Sequence, residues 1–287
     1  MTAETLKDRK TPGMIRDGVD PSKWAWWAII LVFAGILVLV VLIVNPQYNE
    51  AFKYLVDGVI VTLRVTVSAY ILATLIGLLV GLARVSKNVF VYNAATLYVE
   101  VVRGIPMIVL ILYFAYALIP FVVNGIHGLG DLGLAILPGS GLFSGLANMS
   151  IRSIPTEIRG ILALAIGYGA FEAEVFRAGI VSIGKGQMEA AKSLGMTYLQ
   201  SMRYVILPQA IRRVLPPLGN DFIAMLKDSA LLTVLAINEL TQLSRLRRAS
   251  TFQIMTTFNV TAFLYLSMTL ILSAGVRWLE KKMRIEE

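Results

Sequence analysis

Apolar runs of about twenty residues, separated by short polar stretches, set the pattern of this chain. At 1.5 Å per residue such a run crosses roughly 30 Å of hydrocarbon as a helix. The first follows Trp24, Trp26 and Trp27, placed like an interfacial aromatic belt, and continues to Val44. It exceeds a signal-peptide core and lacks a small-residue cleavage pattern, so a retained helix is predicted. Further spans are predicted at 56–83, 95–123, 161–181, 218–237 and 259–279. Gly104 and Pro106 interrupt the third and kink it, beside Arg103 and near the cytoplasmic face. Residues 124–160 read as a Gly- and Pro-containing loop whose apolar segment is too short to cross, hence interfacial or re-entrant. The expected fold class is all-α, a polytopic membrane protein of about six transmembrane helices.

One long segment, Ser182 to Pro217, is amphipathic and basic instead. It reads as two short helices joined by a sharp bend. Good helix formers run from Gln187 to Leu194, and Gly195 sits where a left-handed cap ends the first helix. Thr197 and Gln200 fit a capping box that starts the second, and Pro208 is expected to stop it. Ala190, Ala191 and Gly195 would let another surface approach closely, giving an elbow with a knob-like tip.

Composition sharpens this reading. Hydrophobic residues make up 57% of 287, with mean hydropathy +0.73, far more apolar than a soluble domain of this size. The formal charge of +8 reports loop placement in a membrane protein, and nucleic-acid binding is not expected. With six spans, one side collects the five cations of residues 1–23, then Arg84, Lys87 and Arg103, then Arg177, Lys185, Lys192, Arg203, Arg212 and Arg213, and finally Arg277, Lys281, Lys282 and Arg284. The other collects Lys53, Arg152, Arg159, Arg245, Arg247 and Arg248. Both termini and the elbow are therefore expected in the cytoplasm. Without cysteine there is no disulfide framework or Cys-based metal site. His127, alone in a Gly-rich stretch, reads as solvated. No phosphate-cradling loop, nucleophile elbow or metal cluster is present, so neither catalytic nor metal-binding residues are assigned.

Polar residues inside the spans carry the remaining information. Thr62 and Thr66 share a face, for helix–helix hydrogen bonding or a pathway, while Arg64 can snorkel. Gly77 and Gly81 are spaced for close helix packing. Glu174 and Arg177, three apart, can pair near the inner end of the fourth span. Glu172, deeper, needs the bundle interior or a wet cavity. Lys227 and Asp228 fall midway along the predicted fifth span, too deep for a lysine to snorkel. Lys227 must then pair, with Asp228, Glu172 or another chain, or line a polar chamber.

Several stretches together resemble a known family. Glu189-Ala190-Ala191, then Gly195, then Ile206-Leu207-Pro208 resembles the EAA coupling loop of membrane permeases of ATP-binding-cassette (ABC) importers. The stretches 98–106, 173–179, 185–187 and 226–229 agree with the polar amino acid uptake branch. The resemblance covers roughly residues 55–285. It implies a five-helix type I permease core at 56–280 containing the coupling loop 182–217. Around that core lie a cytoplasmic tail at 1–23, an additional N-terminal helix at 24–45 and a cytoplasmic tail at 281–287. Gln187, Glu189, Ala190, Ala191, Gly195 and Met196 would couple to an ATPase; Arg103, Gly104 and Pro106 would form a gate or kink; Glu172, Glu174, Lys227, Asp228 and Ser229 would lie on the substrate pathway. The implied partners are a cytoplasmic ABC ATPase dimer, a second permease chain, identical or homologous, an extracytoplasmic substrate-binding protein and the bilayer of a bacterial plasma membrane. The chain itself would bind no cofactor, ATP and Mg being used by the ATPase. The implied function is import of polar or charged amino acids. A secondary transporter or a non-transporting membrane receptor are the rival classes; the first would usually show internal repeats, which are not seen here.

Overall fold

The computed structural model describes residues 26–283, and every regular element there is helical. The tail 1–23, Trp24 and residues 284–287 lie outside the described residues. Helix α1 (Trp26–Val44) leads directly into α2 (Pro46–Ala83), whose start is fixed by Asn45: its side chain accepts from the Gln47 N–H at 3.0 Å. Pro46 fits the first turn, where no N–H is needed. At 38 residues α2 is about 57 Å long and begins ten residues before the predicted span.

Asn88 caps α3 (Val89–Arg103), accepting from the Phe90 and Val91 N–H groups. Gly104 and Pro106 then break the chain before α4 (Met107–Tyr113), as their sequence predicts. A π turn at Phe114–Leu118 joins α4 to α5 (Ile119–Ile136). The expected loop from residue 124 is thus helix for another thirteen residues. Glycine here serves packing: Gly130 and Gly133 admit α6 (Gly141–Ala147), and a Cβ at Gly130 would stand 2.2 Å from the Ala147 nitrogen.

Helix α7 (Thr156–Val181) runs parallel to α2 over most of its length. Arg64 pairs with Glu157 at 2.8 Å, Ile76 lies on Gly169, Gly77 on Glu172 and Gly81 on Phe176. Gly77 and Gly81 are required by this contact, since a Cβ at either would meet a neighbouring Cβ at 2.7 Å. After α7 come the short helices α8 (Lys185–Ser193) and α9 (Tyr198–Ser201), a π turn at Met202–Ile206, and α10 (Leu207–Asp228). Pro208 opens α10 and does not stop a helix, because the first turn has no use for its missing N–H. A 3₁₀ stretch (Ser229–Leu235) leads to α11 (Leu240–Thr251) and α12 (Ile254–Met283), so Lys281 and Lys282 are helical.

The main core joins Val65, Ala69 and Ala73 of α2, Val99 of α3, Ile111 of α4, Leu164 and Ala170 of α7 and Met225 of α10. Alanines are interleaved in it with larger side chains, allowing the helices close approach. Large side chains such as Ile60, Leu79, Phe121 and Ile271 face outward. By length and apolarity, 46–83, 107–136 and 254–282 suffice on their own to cross a membrane. Helices α7 and α10 have the length but carry polar residues inward.

Candidate functional site

Two features stand out, and α7 and α10 carry both. The first is the elbow between them. At the end of α8 the Met196 N–H donates to the Ala191 carbonyl at 3.1 Å and the Gly195 N–H to that of Lys192 at 2.9 Å, a Schellman closure. Gly195 supplies the left-handed residue this needs, at φ +79°. The next helix starts at once: the Gln200 N–H donates to Thr197 Oγ1 at 3.3 Å, and the Thr197 N–H to Gln200 Oε1 at 2.8 Å. Both halves of the bend are therefore fixed by local hydrogen bonds.

The inner face is closed by Ile183, Ile206 and Ala210, with Met188, Met202 and Val205 packed on them. Arg213 ties α10 back to the end of α7 by donating to the Ser182 carbonyl at 2.5 Å. Of the residues assigned to coupling, Ala191 is buried within the hairpin, whereas Gln187, Glu189, Ala190 and Gly195 are exposed and Met196 half-buried. Leu194 is 83% exposed and Leu199 77%, with Tyr198 and Tyr204 also outside. An exposed apolar tip on a rigid, otherwise polar hairpin is a surface shaped for contact.

The second feature lies deeper, where α2, α7 and α10 meet. Glu172 is fully buried, and neither carboxylate oxygen has a hydrogen-bond partner. Tyr70, Thr74 and Asp221 surround it; Thr74 Oγ1 and Asp221 Oδ2 are likewise buried without partners. Tyr168 completes the cluster, its hydroxyl donating to Asp228 Oδ2 at 2.8 Å, while the Tyr70 hydroxyl donates to the Leu218 carbonyl at 2.9 Å. Among the described residues, no cation forms an ion pair with Glu172, Asp221 or Asp228. Glu172 near Asp221, and Asp228 bonded to Tyr168, thus place carboxyl groups and tyrosines in one region with no ion-paired base among the described residues.

The remaining candidates are distributed differently. Glu174 is held by Arg84 and Arg177, with Glu100 3.9 Å from Arg84. This ion cluster locks the ends of α2 and α7 next to the elbow, apart from Glu172, Asp221 and Asp228. Ser229 is buried and donates to the Leu226 carbonyl at 2.8 Å. Lys227 is exposed and unpaired among the described residues, in the last turn of α10. The expected midway position fails because α10 starts at Leu207 and ends at Asp228, placing Lys227 about 30 Å along it.

Arg103 lies about 21 Å along α3, its guanidinium 5.6 Å from the centre of the Phe171 ring. Its side chain is exposed, at the opposite end of α3 from the Asn88 cap. Tyr70, Thr74, Tyr168 and Asp221 were not singled out from sequence. Their signal is spacing: Tyr70/Thr74 and Tyr168/Glu172 are four apart and Asp221/Asp228 seven apart, each pair on one helix face. His127 sits 3.1 Å from Asp131 one turn away, and no cluster of metal-ligating side chains occurs among the described residues.

A bundle of apolar helices with a buried polar cluster and an exposed elbow defines the chain as a polytopic membrane protein. Residues 73–285 match the profile of the family described as the binding-protein-dependent transport system inner membrane component. The chain belongs to that family, the membrane permeases of ABC transporters. It is 32% identical over 235 residues to the glutamine transport system permease protein of Escherichia coli, covering 82% of this chain and 95% of the relative. Its identity to the arginine transport system permease protein of Corynebacterium glutamicum is 32% over 273 residues, 91% of this chain and 80% of the relative. A crystal structure of an amino acid ABC transporter with histidines superposes with a TM-score of 0.65 at 35% identity, covering 82% of this chain and 95% of that one.

Proposed function

We propose that this chain is the permease subunit of an importer for polar or charged amino acids, driven by a separate cytoplasmic ABC ATPase that grips the elbow at 182–217. The observation that carries this reading is continuity. The elbow joins α7 to α10, and those two helices supply Tyr168, Glu172, Asp221 and Asp228 to the buried cluster. The Schellman closure, the capping box and the Arg213 tie make the elbow stiff, so displacing its tip moves two walls of the cluster against α2. Nucleotide-driven closure of an ATPase dimer, using ATP and Mg that this chain does not hold, would supply that displacement. Exposed Gln187, Glu189, Ala190, Leu194 and Gly195 would meet the ATPase, with Ala191 filling the hairpin behind them and Met196 at its edge.

The route would lie between this permease and a second, identical or homologous, chain. Buried Glu172 and half-buried Asp221 and Asp228, with no ion-paired base among the described residues, are suited to a substrate ammonium, whose transfer out of water requires such partners. Lys227, exposed beside Asp228, would meet the substrate carboxylate, and Arg103, Gly104 and Pro106 would form the bend that gates access. The names of the relatives, permeases for glutamine, arginine and other amino acids, support this substrate class. The elbow and both termini would face the cytoplasm, with an extracytoplasmic binding protein delivering substrate opposite. Residues 56–280 would form the permease domain and 24–45 an addition to it.

The test is Gly195→Asp in the reconstituted complex with its ATPase and binding protein. Asp tolerates the left-handed conformation better than most residues but puts a charge on the tip. Insertion and assembly should survive, while substrate-stimulated ATP hydrolysis and uptake should fall together by at least about tenfold, a loss of about 1.4 kcal/mol in coupling. Uptake and hydrolysis at the parent level would remove the elbow from the mechanism. Uptake independent of any ATPase would establish a secondary transporter instead.

A further inference from the structure

Helix α1 lies outside the matched family region, and it creates a cavity the permease core alone would not have. Between α1 and α12 runs an apolar crevice of about 450 Å³ lined by Gly35, Val38, Tyr48, Asn259, Phe263 and Leu266, among others. Its volume falls within the range of about 300–1,000 Å³ typical of small-molecule sites. Val38 and Leu42 bring α1 against the cluster of Leu264 and Met268, leaving the crevice beside them.

Gly35 is the informative residue. Glycine is the weakest helix former after proline, and in membrane helices it normally permits close backbone approach. Gly77 and Gly81 do that here, but a Cβ on Gly35 would meet nothing within 4 Å. Its missing side chain leaves space in the crevice wall, halfway along α1. At the end remote from the elbow, Asn259 Nδ2 donates to Tyr48 Oη at 3.1 Å, which leaves the Tyr48 hydroxyl hydrogen for another acceptor.

We propose that this crevice is a phospholipid site, with one acyl chain between α1 and α12 and the ester region accepting from Tyr48. The surroundings select the occupant. The outward side chains of α1, including Ile30, Phe33, Ile36 and Val40, are exposed apolar groups, so the crevice opens into hydrocarbon. Its walls offer ordered water few of the partners it needs. A helix about 10 Å across would fill 450 Å³ with only about one turn of its length, so a transmembrane helix does not fit. A single hydrocarbon chain, thinner and flexible, does.

The experiment is native mass spectrometry of the complete complex, released from nanodiscs of phosphatidylethanolamine and phosphatidylglycerol after a delipidating detergent wash. The expected result is one phospholipid retained per permease chain. Gly35→Phe, whose ring enters open space, should lower retention about tenfold with assembly and ATPase activity unchanged. Tyr48→Phe, which keeps the ring and removes only the donor, should lower it about fivefold, roughly the worth of one net hydrogen bond. Absence of retained lipid in the parent protein overturns the proposal, as does equal retention in Gly35→Phe. Loss of permease pairing in Gly35→Phe, with lipid unchanged, also overturns it and makes the crevice a protein interface.

Discussion

Glu172 has no partner for either oxygen and no room to leave, since Gly77 presses on its Cβ from α2. A carboxylate so placed is costly to the resting fold, and its presence is accounted for if a ligand group completes it. Glu172→Gln keeps the shape and removes the carboxyl group. The variant should insert and assemble in parent amounts, yet uptake of labelled substrate in proteoliposomes should drop at least about tenfold, the effect of about 1.4 kcal/mol. Undiminished uptake would make Glu172 a structural acid. Glu174, two residues on, does the opposite work, buttressed by Arg84 and Arg177. The sequence distinguished the two by spacing: Glu174 has a cation three residues away and Glu172 has none. What it could not deliver was Asp221, because an acid near the start of a predicted span says nothing about which helix will face it.

Among the elements, the α2–α7 contact sets the tolerance of the bundle. It is built on glycine, and a side chain there has no space to move into. Gly77→Val should destabilise the folded protein by about 1–3 kcal/mol or more through overpacking, read as a lower thermal midpoint and less monodisperse protein in detergent. An unchanged midpoint would show that α2 and α7 can separate at no cost. The same residue type misled elsewhere. Gly125, Gly128, Gly130 and Gly133 suggested a loop, but two of them face α6 and the helix runs on to Ile136. Glycine spacing alone does not distinguish a breaker from a packing site; the facing element decides, and it is distant in sequence. Pro208 misled similarly, since proline marks a first turn as well as a last one. The elbow, by contrast, was legible almost residue by residue, because the Schellman closure and the capping box are made from neighbours in sequence.

For the whole molecule, the apolar runs gave the number of spans and the cations their expected direction. Helices α7 and α10 carry charged residues such as Glu172, Glu174, Arg177, Asp221 and Asp228 within their length, which lowers the apolarity by which a span is recognised. Direction has its own test. A cysteine introduced at Ala190, exposed on the elbow, should react with a membrane-impermeant maleimide only after the cytoplasmic side is opened; the parent chain has no cysteine to interfere. Labelling of Ala190→Cys in intact cells would reverse the orientation and remove the ATPase from reach.

The length of α2 has a mechanical consequence. About 57 Å of unbroken rod is nearly twice the hydrocarbon thickness. Within its first half it holds α11: Gly58 lies against Leu240, and the Leu240 N–H donates to Thr62 Oγ1 at 3.1 Å. Its other end reaches Arg84 and the ion cluster beside the elbow. With no internal proline to act as a joint, α2 can only tilt as one lever, so a load placed on α11 at one surface is felt at the opposite surface as a displacement of Arg84.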